Sequence, residues 1–133
     1  MNADRVTYLD SSALVKLAVH EPESLALRAF LRRRRPLVSS ALARVEVGRA
    51  LIHAGPRAVR RGTEVLRRIE LIRVNDRLLD DAAALGPPTL RSLDALHLAT
   101  AQRLEQSLRR LVTYDERMAD AATTLGISVA SPA

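Results

Sequence analysis

The sequence predicts an α/β fold in which a parallel β-sheet is covered by helices on both faces. Short stretches of β-branched, aromatic and aliphatic residues suit buried strands. Between them lie longer stretches in which apolar residues recur at helical spacing. This alternation of strands and helices is typical of a parallel sheet. The predicted strands span residues 6–9, 37–38, 70–74, 110–114 and 127–129.

Helix-breaking residues separate the predicted helices. Glu-Pro-Glu at 21–23 ends the first helix, and Gly-Pro sequences at 55–56 and 86–88 end two later ones, because proline removes a backbone donor and disfavours helical geometry in the residue before it. Serine at the start of a helical stretch indicates a helix start, which we expect at Ser39-Ser40 and at Ser92. The later predicted helices cover residues 24–33, 41–54, 57–69, 75–85, 92–103 and 116–126.

Length and composition fit one folded domain, residues 1–133. A chain of 133 residues with 47% hydrophobic residues can bury a full core and does not have the composition of a disordered protein. No apolar run approaches a membrane span, and the N-terminus lacks the regions of a signal peptide. Cysteine is absent, which is compatible with a reducing compartment. We therefore expect a cytoplasmic protein without membrane contact.

The charge is strongly positive and is carried almost entirely by arginine. There are 21 Lys and Arg residues against 15 Asp and Glu, a net charge of +6. The planar guanidinium suits phosphate, so a polyanionic partner is one explanation. An arginine-rich composition inherited from a GC-rich genome is the other, and charge alone does not separate them. Base stacking can contribute little, because the aromatic residues are only Tyr8, Phe30 and Tyr114.

Two aspartates directly follow predicted strands. Asp10 follows strand 6–9 and Asp115 follows strand 110–114, and a helix begins after each. Ligands of open parallel sheets gather at the carboxyl ends of strands, where helix N-termini supply free N–H groups and partial positive charge. Each aspartate could alternatively serve only as the N-cap of its helix.

Two further acids lie on predicted helices. Glu46 is surrounded by small and apolar positions, where a carboxylate is costly unless it is paired. A helical ion pair with Arg49 would satisfy it without any function. Asp94 lies in the first turn of its helix, where the helix dipole favours an acid. His97 faces the apolar side of that helix, and a hydrogen-bonded core histidine explains it more readily than a metal ligand.

These four acids together predict a metal site at one edge of the sheet. Two unit charges ~4 Å apart repel by about 4 kcal/mol at an effective dielectric of 20, so protons or a divalent cation must neutralise a cluster. Oxygen-only ligands favour Mg²⁺ or Mn²⁺. Such an ion can activate water and stabilise a leaving oxygen. A basic surface around it would suit phosphodiester cleavage.

A run of four arginines, Arg32, Arg33, Arg34 and Arg35, precedes Pro36. It is either a solvated charge run or a patch that contacts the phosphates of RNA. We carry the second interpretation forward as a candidate RNA contact.

Four segments resemble the motifs of PIN-domain ribonucleases, and most closely those of the VapC toxins of bacterial toxin–antitoxin pairs. They read Leu-Asp-Ser-Ser-Ala-Leu-Val-Lys-Leu at 9–17, Ala-Arg-Val-Glu-Val at 43–47, Ser-Leu-Asp-Ala-Leu-His-Leu-Ala-Thr-Ala at 92–101 and Val-Thr-Tyr-Asp at 112–115. The segments occur in the family's order and span essentially the whole chain.

The resemblance implies a three-layer α/β/α fold with a parallel sheet ordered 3-2-1-4-5. It implies metal-dependent endonucleolytic cleavage of a structured tRNA, rRNA or mRNA, a homodimer, and an antitoxin that blocks the site. Asp10 and Asp94 would hold Mg²⁺ or Mn²⁺ directly, and metal-bound water would attack phosphorus. The remaining site positions implied by the resemblance are the acids Glu46 and Asp115 and the small polar residues Ser11 and Thr113.

Three other functions remain as alternatives. The same fold could be a non-catalytic RNA-binding module with a structural acidic group. A phosphatase with Asp10 as a covalent nucleophile would want a second acid two residues on, where Ser12 stands. A DNA-binding regulator could use the arginine-rich helix after Pro56, but this would leave Glu46 and Asp94 unexplained.

Overall fold

The computed structural model describes residues 5–133, which contain a five-stranded sheet in the order β3-β2-β1-β4-β5. All four neighbouring strand pairs are parallel. The predicted fold class and strand order are therefore confirmed. Residues 1–4, which bear on the expectation of no signal peptide, lie outside the described part. The strands are β1 (Val6–Leu9), β2 (Leu37–Ser40), β3 (Glu70–Ile72), β4 (Leu108–Val112) and β5 (Val129–Ala130).

Helices cover both faces of this sheet. One layer packs on the face of Leu9 and Val112, and it is formed by the first four helices. The sixth and seventh pack on the opposite face, against Tyr8 and Leu111, and the fifth packs on the sixth. The helices are α1 (Ser11–Ala18), α2 (Ser24–Leu31), α3 (Ala43–Leu51), α4 (Pro56–Arg67), α5 (Asp76–Ala83), α6 (Ser92–Arg103) and α7 (Glu116–Thr124).

The central strand, β1, explains why the sheet has two cores. It pairs with β2 on one side and β4 on the other. Consecutive strand residues point to opposite faces, so Tyr8 and Leu9, both fully buried, enter different hydrophobic clusters. Since both faces are covered, no residue of β1 or β2 is exposed, as expected for strands inside a parallel sheet. Among the helices of residues 5–133, none combines the length and apolar character needed to cross a bilayer.

The predicted helix start at Ser39-Ser40 and the predicted bounds of strand 110–114 are wrong, whereas the helix start at Ser92 is confirmed. Ser39 and Ser40 end β2 rather than starting a helix, and the Ser39 hydroxyl donates to the Leu9 carbonyl over 2.6 Å. Ser92 is the first residue of α6, whose N-cap position is Arg91 without a side-chain capping bond. The strand predicted at 110–114 is Leu108–Val112, so two residues separate it from Asp115.

Close packing of α3 against α4 depends on Gly62. A Cβ placed there would lie 2.6 Å from Leu51 Cδ1 and 3.3 Å from Val47 Cγ1. We expect Gly62→Val to lower the free energy of unfolding by about 1–3 kcal/mol, the usual cost of overpacking a core. Gly48→Ala is the matched control, because nothing lies within 4 Å of a Cβ there and it should stabilise α3 by about 0.5–1 kcal/mol. Urea unfolding of both variants tests this, and a neutral Gly62→Val would contradict it.

Candidate active site

Asp10 is fixed at the carboxyl end of β1 by three hydrogen bonds. It is 3% exposed. Its Oδ1 accepts from the Ser12 hydroxyl at 2.6 Å and from the Ala13 backbone N–H at 3.1 Å, and its Oδ2 accepts from the Thr113 hydroxyl at 2.5 Å. Burial raises the pKa of this carboxyl although the hydrogen bonds from Ser12 and Thr113 lower it. Asp10 is thus the N-cap of α1, and it is also a buried acid whose charge is incompletely compensated.

The loop after β4 lies beside the loop that carries Asp10, and hydrogen bonds connect the two. Asp115 is the N-cap of α7, where its side chain accepts from the backbone N–H groups of Arg117 and Met118. The Thr113 hydroxyl accepts from the Asp115 backbone N–H at 3.1 Å while donating to Asp10. The small polar residue predicted at position 113 therefore connects the two aspartates.

Asp94 lies in the first turn of α6, and the charges of the other two aspartates affect the pKa of its carboxyl. Burial raises the pKa of its carboxyl, and the negative charges of Asp115 and then Asp10 raise it further, against opposing effects of His97 and Arg91. Like charges shift a pKa in this way only when they are near one another. The three aspartates predicted from separate segments therefore form one electrostatic group, which we call the aspartate group.

Glu46 approaches this edge from α3 and is held by two donors. The Ser11 hydroxyl donates to its Oε1 at 2.5 Å, and His97 Nε2 lies 2.6 Å from the same oxygen. Burial raises the pKa of this carboxyl, but the hydrogen bonds from His97 and Ser11 outweigh burial, so the pKa is lowered overall. The alternative of a helical ion pair with Arg49 is wrong, since the partners of Glu46 come from α1 and α6. The expectation that His97 is a hydrogen-bonded core residue is confirmed.

The acids match a hard divalent cation in donor type, although they form no complete cage. Within residues 5–133, no group of three Asp, Glu or His side chains is arranged to hold one ion. Asp115 caps α7, and Glu46 Oε1 already accepts two hydrogen bonds. Mg²⁺ usually binds through one or two carboxylates and keeps several waters. Asp10 and Asp94, with raised pKa values and mutual repulsion, fit that mode of binding.

The arginine run does not lie beside these acids. It precedes β2, and the Arg34 backbone carbonyl accepts from the Thr7 hydroxyl at 2.7 Å, so the run is at the amino edge of the parallel sheet while Asp10 is at the carboxyl edge. The Arg34 guanidinium also stacks on Phe30, with its central carbon 4.0 Å from the centre of the Phe30 ring. Arg32 and Arg35 line a cavity of about 460 Å³ there, with three more arginines, Arg28, Arg61 and Arg68.

Two arginines that the sequence analysis did not single out line a cavity with Asp94 and with a further acid, Asp120. Arg91 and Arg117 line a cavity of about 500 Å³ together with Asp94, between the start of α6 and α7. Their spacing from the acids could have identified them in the sequence, since Arg91 precedes Asp94 by about one helical turn and Arg117 follows Asp115 by two residues. Basic side chains at this place can neutralise phosphates of a bound polyanion.

Comparison with known proteins agrees with this arrangement. The PIN domain family model matches residues 7–123. The chain is 61% identical over 125 residues to Ribonuclease VapC46 of Mycobacterium tuberculosis, covering 94% of this chain and 96% of that protein. It is 43% identical over 129 residues to Ribonuclease VapC35 of the same species, with the same two coverages.

Solved structures share the fold at lower sequence identity. A toxin–antitoxin complex from Klebsiella pneumoniae gives a TM-score of 0.73 at 22% identity and covers 96% of this chain and 98% of that chain. VapC20 of Mycobacterium tuberculosis, a sarcin–ricin loop cleaving toxin, gives 0.70 at 14% identity and covers 86% and 94%. The family match, the high identity to VapC ribonucleases and the common fold lead to one conclusion. The chain belongs to the PIN-domain family and, within it, to the VapC ribonuclease toxins of toxin–antitoxin systems.

Proposed function

We propose that this ribonuclease hydrolyses RNA phosphodiester bonds at the carboxyl edge of its sheet, with Mg²⁺ or Mn²⁺ held directly by Asp10 and Asp94. Glu46 and Asp115 complete the site. The observation that carries the proposal is the convergence of the acidic segments at one edge. The Thr113 hydroxyl connects Asp10 with the Asp115 backbone, and His97, one turn after Asp94 on α6, bonds to Glu46. A group of acids that repel each other at a strand edge is stabilised by a hard cation.

The hydrogen bonds of the site indicate a different role for each side chain. The hydroxyls of Ser12 and Thr113 orient the Asp10 carboxylate, and Ser11 orients Glu46. Because Ser11 and Ser12 both donate to carboxylates, neither is a free nucleophile. Glu46 is a carboxylate at neutral pH, since hydrogen bonds from His97 and Ser11 lower its pKa below the ordinary 4.5, and it can accept a proton from an attacking water. When bound, the cation would lower the pKa of that water and stabilise the leaving oxygen.

A cleavage assay under three metal conditions tests this function. We expect the purified chain to cut a labelled structured RNA with Mg²⁺ or Mn²⁺ and to be inactive in EDTA, with activity restored when the metal is added back. Cleavage that persists unchanged in EDTA would show that the acids do not act through a cation, and absence of cleavage with either metal would count against the whole proposal.

We propose that arginines hold the RNA backbone in two places. Arg91 and Arg117 lie beside Asp94 and would contact phosphates near the scissile bond. Arg32 and Arg35, in the cavity at the amino edge, would contact more distant phosphates. Arg33 is exposed on the same loop and can add a peripheral contact. Arginine binds phosphate through paired donors, which fixes its orientation as well as its charge.

Three double variants with equal loss of charge separate these contacts. Arg91→Gln with Arg117→Gln should weaken RNA binding and slow cleavage, whereas Arg32→Gln with Arg35→Gln should weaken binding alone. Either pair should reduce the slope of log affinity against log salt by about 1.4 to 1.8, the values for two phosphates in single and double strands. The control pair, Arg60→Gln with Arg67→Gln on α4, lines neither cavity. If all three pairs weaken binding equally, only net charge matters and the assignment is wrong.

Membership in the VapC toxins leads to a proposal for the RNA substrate and for the antitoxin partner. We propose a structured tRNA, rRNA or mRNA as substrate and a cognate antitoxin that blocks the acidic edge. Two neighbours support this, because one is described as a sarcin–ricin loop cleaving toxin and the other as a toxin–antitoxin complex. Sequencing RNA ends after induced expression identifies the substrate. Co-expression with the product of a small upstream open reading frame should suppress cleavage, and no suppression would contradict that pairing.

We propose that residues 1–133 form one domain that acts as a homodimer in the cytoplasm. Large apolar side chains remain exposed on α3, in the turn directly after it, and on α5 and α6, and a second copy could cover them. They are Val45, Ile52, Leu79 and Leu93, exposed by 58, 55, 50 and 48%. Light scattering should give twice the 14.6 kDa mass of one chain, and cell fractionation tests the compartment. A mass of one chain at micromolar concentration would contradict the dimer.

A further inference from the structure

Two buried polar side chains connect the core of the sheet to Glu46. Tyr8, in β1, is fully buried, and its hydroxyl oxygen lies 2.7 Å from His97 Nδ1. His97, on α6, is 1% exposed, and its Nε2 lies 2.6 Å from Glu46 Oε1. The two rings meet edge to face, with centroids 5.8 Å apart and planes at 78°. A continuous row of hydrogen bonds therefore runs from Tyr8 through His97 to Glu46.

The partners on either side of His97 select one form of its ring. The Glu46 carboxylate has only acceptor oxygens, so Nε2 must carry the hydrogen of that bond. The Tyr8 hydroxyl is a donor at neutral pH, so Nδ1 can remain the acceptor. A neutral imidazole with its hydrogen on Nε2 satisfies both contacts at once. The hydrogen bond at one ring nitrogen thus determines the state of the other, as in metal sites where an outer partner orients a histidine.

Both donors to Glu46 meet at the same oxygen. Ser11 and His97 each bond to Oε1, and none of the hydrogen bonds among residues 5–133 uses Oε2. Ser11 is adjacent to Asp10, and His97 lies one helical turn after Asp94. The position of Glu46 is therefore fixed relative to both aspartates, with Oε1 held by two donors and Oε2 without a hydrogen-bond partner among the described residues.

We infer that His97 and Tyr8 are positioning residues, which hold Glu46 Oε1 so that Oε2 stays available for the reaction. This inference rests on the role proposed above for Glu46. Neither residue is required to touch RNA. The alternative is a polar pair that only stabilises the core, because buried donors and acceptors need partners whether or not they have a function.

Replacing the two ring nitrogens one at a time distinguishes these roles. The amide nitrogen of glutamine in His97→Gln reaches the place of Nε2 and can still donate to Glu46. The amide of asparagine in His97→Asn reaches only the place of Nδ1, next to Tyr8. Tyr8→Phe removes the hydroxyl and keeps the ring. Leu98→Ala, at a fully buried position on the same helix, is the control for lost stability, and His53→Asn, at an exposed histidine, is the control for the substitution itself.

Three measurements are made on each variant: kcat for RNA cleavage per folded molecule, Mn²⁺ affinity without RNA, and the melting temperature. We expect His97→Asn to lose about ten- to a hundredfold in kcat or Mn²⁺ affinity, the usual effect of removing an outer partner of a metal site. His97→Gln should retain most of both. Leu98→Ala should lower the melting temperature without changing kcat. Equal losses in His97→Asn and His97→Gln, or losses that follow the melting temperature alone, would overturn the inference.

Nitrogen NMR of the metal-free protein tests the ring state without any activity. The wild-type His97 ring should show the form with hydrogen on Nε2. Tyr8→Phe should keep that hydrogen, which the Glu46 carboxylate requires, and should shift the Nδ1 resonance because the hydrogen bond to Nδ1 is lost. A wild-type ring with its hydrogen on Nδ1, or a Tyr8→Phe spectrum identical to the wild type, would overturn the assignment. Because neither metal nor RNA is present, this result is independent of the proposed hydrolysis, which fails separately if the wild type cuts no RNA with Mg²⁺ or Mn²⁺.

Discussion

Asp10→Asn is expected to abolish RNA cleavage while the fold remains intact. The substitution removes the charge of the most buried acid in the aspartate group, so the affinity for a divalent cation should fall sharply. We expect a loss of about a thousandfold or more in kcat/KM, which corresponds to about 4 kcal/mol of transition-state stabilisation. The measurement is cleavage of a labelled RNA at saturating Mg²⁺.

The hydrogen bonds around Asp10 explain why the fold should survive. Asparagine caps helices as well as aspartate does, and its Oδ1 can keep the bonds from Ser12 and the Ala13 N–H. In the wild type the Thr113 hydroxyl donates to Asp10 Oδ2. In the variant the direction can reverse, with the asparagine amide nitrogen donating to that hydroxyl. Burial raises the pKa of Asp10, so the neutral side chain also avoids the cost of a buried charge. The metal-free variant should be at least as stable as the wild type.

Asp80→Asn, on the exposed side of α5, is the matched control and should leave cleavage unchanged. If Asp10→Asn unfolds the protein, the aspartate is mainly a structural cap. If it folds and still cuts RNA at the wild-type rate, the site lies elsewhere.

Asp94→Asn is expected to remove the stabilisation that Mn²⁺ gives the wild type. A ligand that binds only the folded state stabilises it by about 2.7 kcal/mol at a hundred times its Kd. The wild type should therefore melt at a higher temperature when Mn²⁺ is added, and the variant should not respond. The measurement is thermal unfolding with and without the metal.

The pH dependence of the metal-free protein gives a second test of Asp94. Its folded-state pKa is raised above 3.8, so its contribution to stability is present below that pH and is lost as the pH rises through the raised value. Asp94→Asn should remove this decline. Glu46 acts in the opposite direction, because its pKa is lowered from 4.5 and its contribution is lost as the pH falls. An unchanged pH profile in Asp94→Asn would contradict the electrostatic group.

The main features of the fold could be predicted from local signals and from the family motifs. Strand 6–9 and the helix break at 21–23 follow from residue types that act on their own neighbours. The sheet order is different, because it came from the resemblance to PIN-domain ribonucleases and not from periodicity. The error at Ser39-Ser40 has a physical cause, since a buried serine that donates to Leu9 has the same sequence signal as a helix cap.

The partners of the acids could not be predicted from helical spacing. Arg49 was the natural local partner of Glu46, but His97 lies 51 positions away in sequence and reaches it because α6 packs beside that edge of the sheet. The place of the arginine run could have been predicted, because the run directly precedes strand 37–38 and therefore lies at the amino edge of a parallel sheet, opposite the acids. Long-range contacts are decided by how the helices pack on the sheet, which no single segment specifies.

Anomalous diffraction from crystals soaked in Mn²⁺ is the most direct test of the shared metal site. The proposed mechanism predicts density between the carboxylates of Asp10 and Asp94 at the carboxyl edge of the sheet, and its loss in Asp10→Asn. Density only at other surfaces, or Asp10 and Asp94 facing separate solvent regions without an ion between them, would contradict the proposed mechanism.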